Sequence, residues 1–169
     1  MHANWYAFLF FYDILKITRF DMEKIVIGEK LENAKYDFRE TCFGICIKNN
    51  KLVLVKKNEQ FSFIGGGIEK GESCEECLKR EFIEESGYEL LGIKPFITID
   101  CFWLAAGKWP LESLANFYIV DVGDKVCEPT EEGHIVDEVA IEDAATLLPL
   151  PYHKKALEHY LNNGKSQNY

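Results

Sequence analysis

Runs in which hydrophobic and polar residues alternate recur along most of the chain, and this period of two is typical of β-strands buried on one face. Asn49 and Asn50 separate two such runs and are typical of a tight hairpin turn. Pro95 interrupts a later run, which is therefore one long strand or two. The alternation predicts strands over residues 23–31, 38–48, 51–57, 61–64, 90–103, 114–122 and 135–141, with loops at 105–113 and 123–134.

Three segments carry the start and stop signals of helices. The first begins after Ser73, which can cap a helix N-terminus, and ends at Gly87, a common C-terminal cap. Glu75 and Glu76 fall in its first turn, where negative charge is favourable. Two further helices are predicted at 142–148 and 152–163, separated by Pro149 and Pro151.

The helix after Ser73 carries three acids near its C-terminal end. At 100° per residue, Glu85 and Glu84 lie at about 40° and 300° from Glu81, on the side that also carries Leu78 and Phe82. Negative charge there opposes the helix dipole, neighbouring like charges repel, and half-buried carboxylates are costly. A divalent cation with oxygen ligands, Mg²⁺ or Mn²⁺, would remove these penalties.

Glutamate-rich helix faces are more commonly solvated, so the acids alone do not establish a metal site. Here, however, they lie on the apolar side of the helix. Arg80, one turn before Glu84, can pair with that side chain and hold it in place. The turn before the helix contains several glycines, which suit a close approach of backbone to a ligand: Gly65, Gly66, Gly67 and Gly71.

Residues 66–88 resemble the Nudix box, Gly-x5-Glu-x7-Arg-Glu-U-x-Glu-Glu-x-Gly-U, in which U is a bulky apolar residue. Every glycine and polar position matches, and only the last position departs mildly, with a tyrosine. So many fixed positions make the motif highly specific. The matching residues are Gly66, Glu72, Arg80, Glu81, Phe82, Glu84, Glu85, Gly87 and Tyr88.

The resemblance, which extends over roughly residues 36–160, implies an α/β/α sandwich with a mixed β-sheet. It also implies hydrolysis of a phosphoanhydride bond in a nucleoside diphosphate linked to another group, assisted by Mg²⁺ or Mn²⁺. By position, Glu81, Glu84 and Glu85 would ligate the metal, and the backbone carbonyl of Gly65 or Gly66 could add a ligand.

The resemblance implies further roles within the box. Glu81, or an acid from a later loop, would orient or deprotonate the attacking water, and Arg80 would orient the glutamates. Glu72 has a structural or supporting role. The implied catalytic residues are therefore Glu81, Arg80 and Glu84.

In this family a later loop often supplies one more acidic group. The local candidates are Glu131, Glu132 and Glu138, although each taken singly is more typical of a surface charge. His134 lies in the same loop, where it could touch substrate, but a lone loop histidine is more commonly just exposed.

A polyanionic substrate needs positive charge and, for its base, an aromatic surface. Arg39, Lys56 and Lys57 are candidates for a basic patch, with solvated surface charges as an equally weighted alternative. Phe61, Trp103 or Trp109 could stack on a base, although an aromatic residue is by default part of the core.

The composition describes an acidic chain of 169 residues with a net charge of −9. This length fits a single domain with its own core. The charge argues against general binding of nucleic acids or anionic membranes, so we expect a nucleotide-type small molecule as the partner.

Six cysteines have no second close pair with metal spacing. Cys74-x-x-Cys77 looks like half of a zinc site or a redox pair, but both residues lie on the apolar face of the helix, which favours core packing. Cys42 and Cys46 alternate on a predicted strand and are expected to be small buried hydrophobes. We therefore expect reduced thiols and a cytoplasmic location.

Residues 5–12 are strongly apolar but too short to span a bilayer, and they make a poor signal peptide. They could form an extra helix packed on the domain, a homodimer contact, or a segment that is not natively translated, with Met22 as the start. We therefore divide the chain into an N-terminal extension, 1–21, and a single Nudix domain, 22–165.

The substrate is less well defined than the reaction. Subgroup signatures of ADP-sugar and dinucleoside polyphosphate hydrolases are absent at Leu104, Ala105 and Ala106, and so is that of NADH hydrolases, which argues weakly against these subgroups and offers no replacement. A nucleoside triphosphate or modified nucleotide is slightly preferred. The alternatives are a non-catalytic Nudix-like module that senses a nucleotide and, last, a Nudix-fold isomerase of a diphosphate-bearing lipid precursor.

Overall fold

The computed structural model describes residues 22–163, so the predicted extension at 1–21 and the last two residues of the predicted domain lie outside the described range. The strands are β1 (Glu23–Ile27), β2 (Asp37–Lys48), β3 (Lys51–Lys57), β4 (Gln60–Ser62), β5 (Ile64–Gly67), β6 (Tyr88–Ala105), β7 (Trp109–Lys125) and β8 (Ile135–Ala140). The helices are α1 (Cys74–Ser86), α2 (Ile141–Leu147) and α3 (Pro151–Asn163).

The strands form one mixed sheet in the order β1-β6-β7-β2-β3-β4, with β5 paired to β2 and β8 paired to β3. The β1–β6 and β2–β7 pairs are parallel, and the other pairs are antiparallel. The long strand β2 pairs with β7 on one side and with the short glycine strand β5 on the other. The predicted α/β class with a mixed sheet is confirmed.

Helices cover both faces of the sheet. On one face, α1 packs Cys77, Leu78 and Phe82 against β2, β3 and β7. On the other, α2 and α3 cover a larger apolar core that includes Phe43 of β2, Phe63 between β4 and β5, and further residues of β2, β3 and β7. Side chains alternate between the faces of a strand, so neighbouring residues of β2 and β3 serve different cores.

The predicted hairpin turn is present, with Asn49 and Asn50 at φ values of 52° and 60°, as a tight two-residue turn requires. The segment predicted at 90–103 as one strand or two is the single strand β6, which continues past Pro95 with a shift in its register with β7. In contrast to the prediction, β7 already begins at Trp109. The predicted loop at 105–113 is therefore only residues 106–108, because the long β6–β7 pairing outweighs the local turn signals. The predicted strand 23–31 ends at Ile27, before a left-handed turn at Gly28.

A disulfide joins Cys42 of β2 to Cys74, the first residue of α1. The prediction of reduced thiols is therefore wrong for this pair, whereas Cys46, Cys77, Cys101 and Cys127 are free. The bridge forms because α1 packs on β2 and brings the two Cα atoms to 5.7 Å across a sequence separation of 32. Within residues 22–163, no helix is long and apolar enough to cross a membrane.

Candidate metal and catalytic site

Both ends of α1 are fixed by local hydrogen bonds, as the sequence predicts. The Ser73 hydroxyl accepts a hydrogen bond from the Glu76 amide, and the Glu76 carboxylate accepts one from the Ser73 amide at 2.8 Å. This capping box stabilises the first turn. At the other end Gly87 adopts φ 74° and its amide donates to the Ile83 carbonyl. The helix therefore presents a defined face to the sheet.

The acids of α1 lie where the helical geometry predicts. Glu81 and Glu85 are only 7% and 6% exposed, while the Glu84 side chain is 36% exposed. Leu78 and Phe82 anchor the same face in the core, so the two glutamates one turn further along are drawn to the sheet edge. Their burial creates a local excess of negative charge.

The glycine strand β5 lies directly against these carboxylates. The Gly65 amide donates to Glu85 Oε2 at 2.9 Å, and a β-carbon on Gly66 would lie 2.4 Å from Glu81 Oε1. The glycine backbone was expected to approach a ligand closely. In the structure, it approaches the carboxylates of α1 instead. The Gly66 carbonyl, a candidate ligand, lies 3.7 Å from Cys77 Sγ.

Arg80 connects three of the box acids, Glu72, Glu81 and Glu84, to one another. Its Nε and Nη2 donate to the two carboxylate oxygens of Glu72 at 2.9 and 3.0 Å. Its Nη1 donates to Glu81 Oε1 at 2.8 Å and Glu84 Oε2 at 3.1 Å. The fork geometry of a guanidinium allows all these bonds at once, so Arg80 restrains the orientation of both glutamates. The same bonds lower the pKa of Glu72 to about 2.

The buried glutamates resist ionisation in the absence of a cation. Burial raises the pKa of Glu85 to about 8, only partly opposed by the Gly65 amide. Burial also raises the pKa of Glu81, against the lowering effect of Arg80. A bound cation would reverse both shifts, since an adjacent positive charge favours the carboxylate form.

A fourth acid joins the cluster from the loop at 126–134. Carbonyl groups at the end of α1 hold this loop, because the Glu84 carbonyl accepts from the amides of Thr130 and Glu131 at 2.9 and 3.1 Å, and the Gly87 carbonyl accepts from Val126 at 2.8 Å. These carbonyls have no partner within the helix, so the loop satisfies them. The docking brings the Glu131 side chain to the acids of α1.

Among the described residues, this docking produces two overlapping groups of side chains that could bind a metal ion. The ligand atoms of Glu81, Glu84 and Glu131 lie within 4.8 Å of one another, and so do those of Glu85, Glu131 and His134. Glu131 belongs to both groups. Of the other two candidate acids, Glu132 is exposed and Glu138 lies on β8 opposite Val53, outside both groups.

His134 is the residue of this loop that sequence reasoning placed differently. Its side chain is only 6% exposed, with Nδ1 2.8 Å from Glu131 Oε2 and 3.6 Å from Glu85 Oε1. The expectation of an exposed histidine is therefore wrong. No sequence signal identifies a lone histidine in a polar loop as buried, because its burial follows from the docking of the loop on α1.

The candidate substrate-binding residues fall on different sides of the sheet. Lys57 Nζ lies 3.6 Å from Glu131 Oε2, beside the acids. Phe61, with Lys56 Nζ 5.7 Å from its ring, packs against the core under α3. Arg39 is exposed on β2, and its charge acts on Tyr152 of α3. The three lysine and arginine candidates thus do not form one patch.

The remaining aromatic candidates are also separated. Trp103 donates its ring N–H to Ser113 and packs on Tyr152, whereas Trp109 is exposed at the tip of the β6–β7 hairpin.

An open groove of about 1080 Å³, which neither tryptophan lines, lies beside the N-terminus of α1. Its floor includes Thr98, which donates to the buried Asn116. Glu72 is the box acid that lines it.

The acidic cluster suits a divalent cation. Carboxylate oxygens are the ligands that Mg²⁺ and Mn²⁺ prefer, and four carboxylates converge here with one guanidinium between them. The space that Gly66 leaves beside Glu81 keeps this carboxylate close to the sheet. A divalent cation held there could activate a water molecule and neutralise phosphate oxygens.

A family model described as the NUDIX domain matches residues 38–160. The chain therefore belongs to the Nudix hydrolase family, an enzyme family of pyrophosphohydrolases acting on nucleotide-linked substrates. The resemblance of residues 66–88 to the Nudix box is confirmed by this match.

Known proteins similar to this chain agree with the family. The NAD-capped RNA hydrolase NudC of Photobacterium profundum is 25% identical over 81 residues, which cover 45% of this chain and 30% of that protein. A NUDIX hydrolase from Nitrosomonas europaea has a similar structure, with a TM-score of 0.60, 18% identity and coverage of 75% of this chain and 90% of that one.

A second solved structure is that of a MutT NUDIX hydrolase from Burkholderia pseudomallei, with a TM-score of 0.58 and 20% identity. It covers 72% of this chain and 97% of that one. At these identities the solved structures support the fold alone. The matched segment of NudC is less than a third of that protein's length.

Proposed function

We propose that this chain is a divalent-metal-dependent pyrophosphohydrolase that cleaves a phosphoanhydride bond in a nucleoside diphosphate linked to another moiety. The observation that carries the proposal is the burial of Glu81 and Glu85 beside Glu84 and Glu131. Such a concentration of negative charge is costly without a cation. Mg²⁺ or Mn²⁺ bound there supplies neutralisation of the phosphate oxygens and a more acidic water molecule.

The contacts of the chain's own residues support a role for each. Glu81, Glu84, Glu85 and Glu131 would hold the cation, with the carbonyl of Gly65 or Gly66 as a further candidate ligand. Glu81 is the candidate base for the attacking water, and Glu131 is the alternative. Arg80 is a positioning residue, because its bonds to Glu81 and Glu84 restrain both carboxylates.

Substrate binding divides between two regions. Lys57, beside Glu131, is positioned to neutralise a phosphate near the acids. Arg39 and Phe61, on the face covered by α3, are candidates for the nucleoside or the second moiety. Nucleoside triphosphates and modified nucleotides are the favoured class. NAD-type dinucleotides belong in the test, because the name of one relative refers to an NAD cap.

The test is phosphate release from a panel of nucleoside triphosphates, ADP-ribose, dinucleoside polyphosphates, nucleotide sugars and NAD, coupled to pyrophosphatase for the triphosphates and to phosphatase for the compounds without a terminal phosphate. Each compound is assayed with Mg²⁺, Mn²⁺ or EDTA. We expect turnover of one class that EDTA abolishes. Binding of a nucleotide, seen as thermal stabilisation, without any turnover would favour the alternative of a non-catalytic sensor module.

Variants connect this activity to the site. Glu84→Gln and Glu85→Gln are each expected to lower kcat on the order of 100-fold while the fold persists, since each removes one charged ligand. Glu131→Gln should do the same, and Glu132→Gln, one residue further along and exposed, is its matched control. Unchanged turnover in Glu84→Gln and Glu85→Gln would contradict the assignment of the metal site.

A further inference from the structure

The imidazole of His134 lies inside the acidic cluster without a hydrogen bond at Nδ1. The side chain is 6% exposed, and Nδ1 lies 2.8 Å from Glu131 Oε2 and 3.6 Å from Glu85 Oε1. Despite these short distances, Nδ1 is buried from solvent and has no aligned hydrogen-bond partner among the described residues. A buried ring nitrogen without a partner is energetically unfavourable. The geometry therefore indicates a ligand that accepts the nitrogen lone pair.

The backbone holds this nitrogen in place. The amides of Thr130 and Glu131 are bound by the Glu84 carbonyl at the end of α1. Gly133 then turns the chain with φ 79°, and the His134 amide donates to the Glu131 carbonyl at 3.4 Å. Glu131 and His134 are thus held as one short turn against the end of α1. Their side chains are brought to the cluster by backbone contacts.

Glu131 is shared between two sets of ligand atoms. One set contains oxygens alone, from Glu81, Glu84 and Glu131, and the other contains oxygens of Glu85 and Glu131 with a nitrogen of His134. Within each set all atoms lie within 4.8 Å of one another. Ligands about 2.0–2.2 Å from a common ion lie up to about 4.4 Å apart, so small side-chain movements would allow each set to bind an ion.

We propose that His134 Nδ1 is a metal ligand and that Glu131 bridges two cation positions, an oxygen-only position and a mixed nitrogen–oxygen position. The oxygen-only position rests on the proposed function, whereas the mixed position stands on the placement of His134. Imidazole nitrogen binds transition-metal ions much better than it binds Mg²⁺. The mixed position therefore selects Mn²⁺ or another transition-metal ion, while the oxygen-only position accepts Mg²⁺ or Mn²⁺.

The test is pulsed electron paramagnetic resonance of Mn²⁺ added to the full chain, with no substrate present. Histidine ligation gives a modulation from the directly bound ¹⁴N nucleus. We expect this modulation in the wild type, its loss in His134→Asn, and its retention in His159→Asn. His159 is a matched control because it lies on α3 beside Phe96 and the single acid Glu23, outside the cluster formed by the acids of α1 and Glu131.

Equilibrium binding supplies a second readout. His134→Asn is expected to weaken Mn²⁺ binding at one position by about tenfold or more, with Mg²⁺ binding changed much less. Equal losses for Mn²⁺ and Mg²⁺, or ¹⁴N modulation that persists in His134→Asn, would overturn the proposal. If that variant does not fold, ¹⁵N labelling of the histidines in the wild type replaces it. Modulation from ¹⁵N then supports a histidine ligand, and its absence overturns the proposal.

These measurements do not depend on turnover. Nitrogen coupling in a protein that hydrolyses nothing on the panel would remove the proposed function and leave the mixed metal position. Hydrolysis with Mn²⁺ in a protein without nitrogen coupling would leave the proposed function and remove His134 as a ligand.

Discussion

The backbone of Gly66 lies so close to the carboxylate of Glu81 that a β-carbon on Gly66 would be 2.4 Å from Oε1 and 2.8 Å from Cδ. Gly67, the next residue of the same strand, has no heavy atom within 4 Å of the corresponding position. A glycine is thus required at position 66, because any side chain there would occupy the space of the Glu81 carboxylate. The two glycines form a natural pair for testing the position of this carboxylate.

We predict that Gly66→Ala lowers kcat on the order of 100-fold, because the added methyl displaces the Glu81 carboxylate by about an ångström. Stability should change little, since the displaced group is the end of a flexible side chain. Steady-state kinetics and thermal unfolding of Gly66→Ala and Gly67→Ala check this. Equal activity of the two variants would show that the position of Glu81 is unimportant for turnover.

Replacing Arg80 by lysine keeps the positive charge but removes the fork that joins Glu72, Glu81 and Glu84. We expect kcat to fall on the order of tenfold, with KM nearly unchanged, because the carboxylates lose their common restraint. Lys79→Arg, on the exposed side of the same helix, is the control. A rise in KM alone would indicate that Arg80 binds substrate.

The pH dependence of metal affinity follows from Glu85, whose pKa burial raises to about 8. Between the usual value of 4.5 and 8, the metal-free folded protein holds this proton and the unfolded chain does not. The metal-free protein therefore loses stability as the pH rises through this window. Because the metal needs the carboxylate form, its binding must release the proton.

We therefore predict that affinity for Mn²⁺ rises by up to about tenfold per pH unit between about pH 6 and 8. Isothermal titration calorimetry in buffers of different ionisation enthalpy would measure the affinity and the proton release together. Glu85→Gln should bind more weakly and lose this part of the dependence. A wild-type affinity that is the same at both ends of this range would exclude the raised pKa.

The disulfide between Cys42 and Cys74 ties α1 to β2. Cys74→Ser should lower the free energy of unfolding by about 3 kcal/mol, because the unfolded chain gains conformational freedom. The melting temperature should fall by about 10 °C. Cys127→Ser, which replaces an exposed free thiol, is the control. Dithiothreitol should lower the melting temperature of the wild type and leave that of Cys74→Ser unchanged.

His153 is fully buried among the rings of Phe43, Phe63 and Phe117, and neither of its ring nitrogens has a hydrogen-bond partner among residues 22–163. Burial lowers its pKa from 6.5 to about 3. Between these two values the unfolded chain holds a proton that the folded protein does not, so stability falls as the pH decreases through this window.

We predict that His153→Leu removes up to about 1.4 kcal/mol per pH unit of this acid destabilisation. Urea unfolding at about pH 7 and pH 5 measures it as the difference between the two pH values within each variant. This comparison cancels any packing change at the substituted position. The same pH difference in His153→Leu and in the wild type would contradict the prediction.

Local properties of the chain are enough to locate the helix of the Nudix box and its acids. The helical period places Glu81 and Glu85 on the face of Leu78 and Phe82, and the capping residues at either end define the helix. The alternation of hydrophobic residues likewise predicted most strands and the hairpin at 49–50. Predictions failed near residue 110, where long-range strand pairing outweighed local breaker residues.

Long-range packing, in contrast, determines which residues from distant parts of the sequence lie beside these acids. Glu131, Glu132 and Glu138 look alike in the sequence, and the docking of one loop on the end carbonyls of α1 brings Glu131 alone of the three into the cluster, with His134 beside it. The disulfide at the start of α1 depends in the same way on the packing of this helix against β2. Such contacts join residues that are far apart along the chain, and no local period or spacing encodes their distances in space.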